Sequence, residues 1–422
     1  MITQDIYNKY VAVLHEELVP AMGCTEPIAI AYAGAKAKSV LGELPDVVEV
    51  YASGNIIKNV KSVIVPNTGG LCGISNAVLA GICIGNADSQ LQVLSKVSAS
   101  DLERLNEYRN RVHAVVHHVR CDNAFDLKVV VRKGDSSAEV HIVSFHTNIT
   151  EVYRNGECIY KGGQVAEKKD RSWMSVEGIV EFANCVNIDD VRDVLCRQIE
   201  YNMAIAREGL SNNYGANIGK VLLSMSNDVN TRCKAYAAAG SDARMNGCEM
   251  PVVINSGSGN QGITSSVPVI VYAMDRSINE ELLYRALCVS NLVTIHLKTG
   301  IGTLSAYCGV VSAGAGAGAG IAYLNGGGFA EIAHQIVNTL AIDSGIICDG
   351  AKASCAGKIA TAVESGLLGL NMFYCGNEFV GGDGIVTKGV ENTIKNISRL
   401  AQKGMKHTDE EIISIMQEDQ KE

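Results

Sequence analysis

The sequence predicts an α+β protein, with an N-terminal α/β domain built on a mixed or antiparallel sheet (residues 1–165) and a mostly α-helical domain after it (166–422). Three observations carry this reading. Short β-rich runs, among them Val47 to Ala52, Leu127 to Arg132 and Ala138 to Val143, are confined to the first part of the chain. Beyond Trp173 the apolar spacing is helical almost throughout, and the polar, charged stretch from Tyr160 to Arg171 marks the boundary. At 422 residues the chain also exceeds the ~250 to 300 residues that a single core usually serves.

In chain order, Ile6, Val11, Leu14 and Leu18 fall at helical spacing over residues 4–19, and Pro20 stops that helix. The turn Ala21-Met-Gly-Cys24-Thr25-Glu26-Pro27 leads into an Ala-rich helix whose Pro27 suits a first-turn position. Cys24 therefore precedes a helix N-terminus, where the dipole favours a thiolate. Val47 to Ala52 and Val60 to Val65 read as strands, the second running into the glycine loop Pro66-Asn-Thr-Gly-Gly70. Ile74 to Gly85 reads as a buried helix and Asp101 to His118 as an amphipathic one, with His113, His117 and His118 at a spacing that could hold a metal but with no further ligand nearby. Leu127 to Arg132 and Ala138 to Val143, joined by Lys133-Gly-Asp-Ser-Ser137, form the clearest hairpin. The polar run His146-Thr147-Asn148 follows as a site edge or a solvated turn.

The helical part is expected over 176–183, 188–208, 219–225 and 231–246, and again over 361–373, 393–403 and 408–420. Between these lies Asn255-Ser-Gly257-Ser258-Gly259-Asn260-Gln261-Gly262, whose glycines and small polar side chains could cradle a carboxylate. A pyridoxal phosphate cup is the rival reading of such a loop, but no lysine is placed as its Schiff-base partner.

The most glycine-rich and least charged stretch runs from Cys308 to Cys355 and includes Cys348. It reads as a metal site, because small residues let backbone N–H groups approach an inorganic group closely. On one unbroken helix, Cys348 and Cys355 would stand ~10 Å apart along the axis, so a bend over Gly350 to Ser354 is expected to bring them together. Three thiolates would leave one iron of a cluster without a protein ligand, the open position a Lewis acid needs. The uncharged run 300–330 is made of Gly, Ala and Ser rather than Leu, Ile and Phe, which points to closely packed buried helices instead of a membrane span.

With 36 Lys+Arg against 45 Asp+Glu and no long basic tract, nucleic acid is not an expected partner. The N-terminus lacks a basic region followed by an apolar one, so a cytoplasmic setting with reduced thiols is expected. The apolar helical content suggests a homodimer.

Taken together, Cys24-Thr-Glu-Pro27, the 255–262 loop, Cys308, Cys348 and Cys355 closely resemble the iron–sulfur L-cysteine desulfidase family, which is related to the α chain of bacterial iron–sulfur L-serine dehydratases. The resemblance covers essentially the whole chain. It implies a [4Fe-4S] cluster on Cys308, Cys348 and Cys355, a base at Cys24, and conversion of L-cysteine to pyruvate, ammonia and sulfide. The loop residues Asn255, Ser258 and Asn260 are the expected substrate-carboxylate holders. The serine dehydratases carry histidine where this chain has Cys24, and their last two ligands lie farther apart than seven residues, which favours a sulfur substrate here. Two alternatives stay open: an iron–sulfur L-serine dehydratase, and a non-catalytic cluster protein in which Cys24 is the fourth ligand.

Overall fold

A computed structural model describes residues 2–22, 25–121, 123, 125–163, 170–302 and 305–418. Its contacts divide the chain into two compact units. One comprises residues 23–169, 349–352 and 410–422; the other comprises 1–22, 170–348 and 353–409.

The chain starts in the second of these with α1 (Gln4–Glu17), N-capped by the Thr3 hydroxyl, and β1 (Pro20–Met22). It then builds the sheet-containing unit through α2 (Thr25–Leu41), β2 (Val47–Ser53), α3 (Gly54–Val60), α4 (Gly73–Ile84), α5 (Ala99–Arg111), β3 (Ala114–Val119), β4 (Asp126–Lys133), β5 (Ser136–Val143), β6 (Ile149–Arg154) and β7 (Glu157–Lys161). The six strands form a mixed sheet in the order β3-β2-β4-β5-β6-β7, parallel between β2 and β3 and antiparallel elsewhere. Val48 and Val50, Leu127, Val129 and Val131, and Val140 and Ile142 alternate onto the buried face, as a half-covered sheet requires. The helices α2 and α4 approach closely because Gly34 faces the Val78 carbonyl, 2.7 Å from where a Cβ would lie.

Two elements differ from the sequence reading. The helix predicted over 101–118 ends at Arg111, and Ala114–Val119 is a strand. Val115, Val116 and Val119 are β-branched and suit an edge strand paired with β2, a pairing that local spacing does not reveal. His117 stacks on Tyr51 at 4.6 Å and lies 3.4 Å from Glu49, so it has structural work in the sheet. The strand predicted over 60–65 is not one: α3 runs to Val60, and only an isolated bridge, Ile64 to Cys72, closes the glycine loop.

The helical unit continues with α6 (Val176–Cys185), α7 (Arg192–Ser211), α8 (Ile218–Met225), α9 (Val229–Met245), β8 (Pro251–Val253), α10 (Gly259–Asp275), α11 (Glu280–Ile301), α12 (Gly309–Leu324), α13 (Phe329–Asp343), α14 (Cys355–Tyr374) and α15 (Val390–Arg399). A last helix, α16 (Lys406–Glu418), ends the described chain. The short strand β8 pairs antiparallel with β1. Every residue of α12 from Val310 to Leu324 is buried. Glycine costs about 1 kcal/mol per residue in a helix interior. Here the close approach of α10, α11, α13 and α14 to α12 offsets that cost, since the missing side chains let backbones touch. Among the described residues, no helix is long and apolar enough to cross a membrane.

Candidate functional site

Three elements of the helical unit carry the cysteines singled out above. Tyr307 and Ile347 form an antiparallel bridge, the Cys308 N–H donates to the Ile346 carbonyl at 3.1 Å, and the Cys348 N–H donates to the Ala306 carbonyl at 2.6 Å. This pairing sets Cys308 beside Cys348, and their thiols are hydrogen-bonded to each other. Cys308 is then the N-cap of α12, and Cys355 is the first residue of α14. The bend expected between Cys348 and Cys355 is present: Gly350 takes φ +97°, a conformation that favours glycine, and α14 begins only at Cys355. The Lys358 ammonium donates to the Ile347 carbonyl at 2.7 Å and ties the first turn of α14 to the bridge.

The hydrogen bond from Cys348 and deep burial push the Cys308 thiol well above its ordinary pKa, and Cys355 acts in the same direction. The Val310 N–H bonds to the Cys308 sulfur and opposes this, as a helix N-terminus does. None of the thirteen described cysteines is in a disulfide.

The donor set suits an iron–sulfur cluster. Thiolates are its usual ligands, two of the three cysteines sit at helix N-termini, and a backbone N–H already points at one sulfur. Among the described residues no three His, Cys, Asp or Glu side chains close on a single metal ion, whereas a cluster asks each thiolate to bind a different iron. Cys308 and Cys348 would exchange their mutual hydrogen bond for two such bonds.

The 255–262 loop belongs to the same unit. Ser256 (φ +50°) and Gly257 (φ +76°) turn the chain so that Asn255 and Ser258 form a bridge, and Ser258 caps α10 through the Gln261 N–H. Gly262 has no room for a Cβ against Val253 and Ile254, which sets α10 tight on β8. Asn255 is fully buried, and its amide is committed to Asn291 at 2.9 Å, in a network with Gln198 and Ser265. It thus anchors the loop from inside, while Ser258 and Asn260 stand at the mouth of α10. Asn260 accepts from Arg244 Nη1 at 3.3 Å.

Two residues that the sequence reading passed over also lie here. Gln261 occupies the N3 position after the Ser258 cap, where a glutamine ordinarily bonds back to the cap's N–H. That N–H is taken by the Asn255 carbonyl at 3.0 Å, so the Gln261 amide turns elsewhere, against Gly309, where a Cβ would fall 2.8 Å from its carbon. The glycine loop and the Cys308 turn are therefore in contact. The pattern Ser-x-x-Gln was visible in the sequence, but the diversion of its side chain was not. Arg244, near the end of α9, carried no sequence signal.

Beside Cys308, Tyr307 is buried, and its hydroxyl and Asp343 Oδ2 have no hydrogen-bond partner among the described residues. The other Asp343 oxygen accepts from Ser365 at 2.6 Å, and burial raises this carboxyl to about 6.

In the sheet-containing unit, Cys24 lies outside the described residues; the described helix α2 begins immediately after it, at Thr25. His146 packs edge-on against Phe125 at 4.7 Å, and burial lowers its pKa against the opposing charge of Glu26. Asn148 donates to the Val143 carbonyl, Thr68 to Val65 and Asn67 to Leu94, so these loops spend polar groups on themselves.

Comparison with known proteins gives the lineage. A model of the serine dehydratase alpha chain matches residues 88–414. The chain is 56% identical over 415 residues to a UPF0597 protein of Desulfitobacterium hafniense, covering 97% of this chain and 96% of that one. It is 48% identical over 416 residues to a UPF0597 protein of Lachnoclostridium phytofermentans, covering 97% and 100%, and 44% identical over 424 residues to one of Treponema denticola, covering 98% of each. The matched segment takes in the 255–262 loop and all three cysteines of the bridge and helix ends, and the chain belongs to the serine dehydratase alpha-chain family, a lyase lineage.

Proposed function

We propose that this protein is an L-cysteine desulfidase that eliminates sulfide from L-cysteine to give pyruvate and ammonia, with Cys308, Cys348 and Cys355 holding a [4Fe-4S] cluster. The observation that carries the reading is that Cys308 lies beside Cys348 across the Tyr307–Ile347 bridge, within electrostatic reach of Cys355 at the start of α14, and next to the glycine loop that packs on Gly309. The bound cluster would supply an open iron as Lewis acid toward the substrate's β-sulfur. Cys24, which precedes α2 in the sequence, would as a thiolate remove the Cα proton; the electron pair forms the Cα–Cβ double bond and the C–S bond breaks toward sulfide. The aminoacrylate left behind takes up water to give pyruvate and ammonium. Ser258 and Asn260, with the N–H groups at the start of α10, hold the substrate carboxylate, and Asn255 holds the loop. Replacing Ser258 and Asn260 together should raise the apparent KM; an unchanged KM would remove them from this role. The cytoplasmic setting and the homodimer belong to the same proposal.

Membership of the serine dehydratase family favours a second reading, dehydration of L-serine by the same machinery. Anaerobic reconstitution with iron and sulfide, followed by pyruvate assays with each amino acid, separates the two. A higher kcat/KM for L-cysteine supports the desulfidase, and a higher value for L-serine replaces it.

A further inference from the structure

We infer that Arg244 and Gln261 are the pair that recognises an α-amino acid, Arg244 binding the α-carboxylate and Gln261 accepting a hydrogen bond from the α-ammonium group. This rests on the reading of the site as one for an amino-acid substrate and names the groups that would select it.

A helix leaves its first N–H groups without intrahelical acceptors, and in α10 those of Gly259 and Asn260 face the loop end. Arg244 reaches the same place from α9: its guanidinium bonds Asn260 Oδ1, and Gly259 is a glycine where any side chain would collide with that guanidinium. A cation beside helix N–H donors is a carboxylate site in geometry and in charge, and the guanidinium fork matches a carboxylate in both. An independent observation points to a ligand. Gln261 is 5% exposed, yet its Oε1 has no hydrogen-bond partner among the described residues. Burying an amide oxygen unpaired is costly, and such groups in native proteins usually serve something. The amide is in contact with Gly309, the residue after Cys308. A zwitterion with its carboxylate at Arg244 and its ammonium at Gln261 Oε1 would lie with its ammonium end beside Gly309, the residue after Cys308. An isolated carboxylic acid would meet only half of this pair.

The test measures binding of two non-eliminating probes, L-alanine and propionate, to the anaerobically reconstituted protein by equilibrium dialysis. Variants are Arg244→Gln, Arg244→Lys and Gln261→Leu, each checked for iron content and thermal melt. Losing a hydrogen bond to a charged group weakens binding on the order of tenfold to a hundredfold. Arg244→Gln should weaken both probes by that factor, and Arg244→Lys should recover part of it. Gln261→Leu should weaken L-alanine by about tenfold and leave propionate as in wild type. Wild-type affinity for both probes in Arg244→Gln, equal effects of Gln261→Leu on the two probes, or no binding of L-alanine to wild type would each overturn the inference. If Arg244→Gln fails to fold, the Arg244→Lys affinity decides: a value equal to wild type sinks the carboxylate assignment. If the probes bind in the expected pattern and no sulfide or pyruvate is released from L-cysteine, the desulfidase reading falls and the recognition pair stands.

Discussion

Replacing Gly366 by alanine tests whether the cysteine-bearing helices are held by backbone contact. Gly366 sits on α14, which begins at Cys355, and faces α12, which begins just after Cys308. A Cβ at Gly366 would lie 2.5 Å from the Gly314 carbonyl oxygen on α12. Ordinary C···O contact needs a retreat of about 1 Å, and a backbone carbonyl in a buried helix cannot swing aside as a side chain can. Because the obstacle is backbone, overpacking here falls in the upper part of the usual range, roughly 2 to 3 kcal/mol, from which the better helix propensity of alanine returns about 1 kcal/mol. The expected net loss is about 1 to 2 kcal/mol, or roughly 2 to 8 °C in Tm for a unit of this size. Gly357 on the same helix is the internal control, since a Cβ there meets nothing within 4 Å. Gly357→Ala should leave Tm unchanged or raise it by about 2 to 4 °C. Thermal melts of both cluster-free variants, followed by circular dichroism, read the opposite signs. A Gly366→Ala Tm equal to or above wild type would refute the account of how α12 and α14 are packed.

Three further outcomes follow from buried polar groups and from the site. Asn291→Ala removes the partner of Gln198, Asn255 and Ser265 at once, so it should cost roughly 3 to 5 kcal/mol in urea unfolding; a loss below about 1 kcal/mol would mean that the network carries little. Asp242 is buried, and burial lifts its carboxyl to about 6 despite the Gly219 N–H that bonds it. A raised carboxyl favours folding while protonated, so its contribution is whole below about pH 4 and lost as pH rises to about 6, at most about 3 kcal/mol. Asp242→Asn should therefore gain stability over wild type progressively from pH 4 to 6 and hold that gain above; parallel stability curves would contradict the buried-carboxyl argument. Finally, Cys308→Ser and Cys355→Ser should each lower the iron retained after anaerobic reconstitution, and full iron retention in either would remove that residue from the ligand set.

Much of this architecture was legible because its signals are local. Leu127, Val129 and Val131 alternate, and the Gly134 turn joins them to Ala138, Val140 and Ile142, so the hairpin could be read directly. Pro20, Pro27 and Gly350 mark helix ends or bends by their own backbone restrictions. Ala114–Val119 differs from the reading because a parallel edge strand is specified by its partner β2, sixty-six residues away in register, rather than by its own spacing. Within the site, cysteine spacing and glycine density marked the stretch from Cys308 to Cys355. Gln261 and Arg244 stayed hidden for a physical reason: one is an ordinary capping residue until the Asn255 carbonyl takes its partner, and the other reaches the loop from α9.

The most direct test of the central claim is the parallel measurement of iron content and of sulfide and pyruvate release from L-cysteine, on anaerobically reconstituted wild type and Cys24→Ala. The account predicts turnover in wild type, and loss of turnover in Cys24→Ala with iron unchanged. Iron that falls with Cys24, together with no product from either L-cysteine or L-serine in wild type, would contradict it and make Cys24 a fourth ligand of a cluster without an open iron.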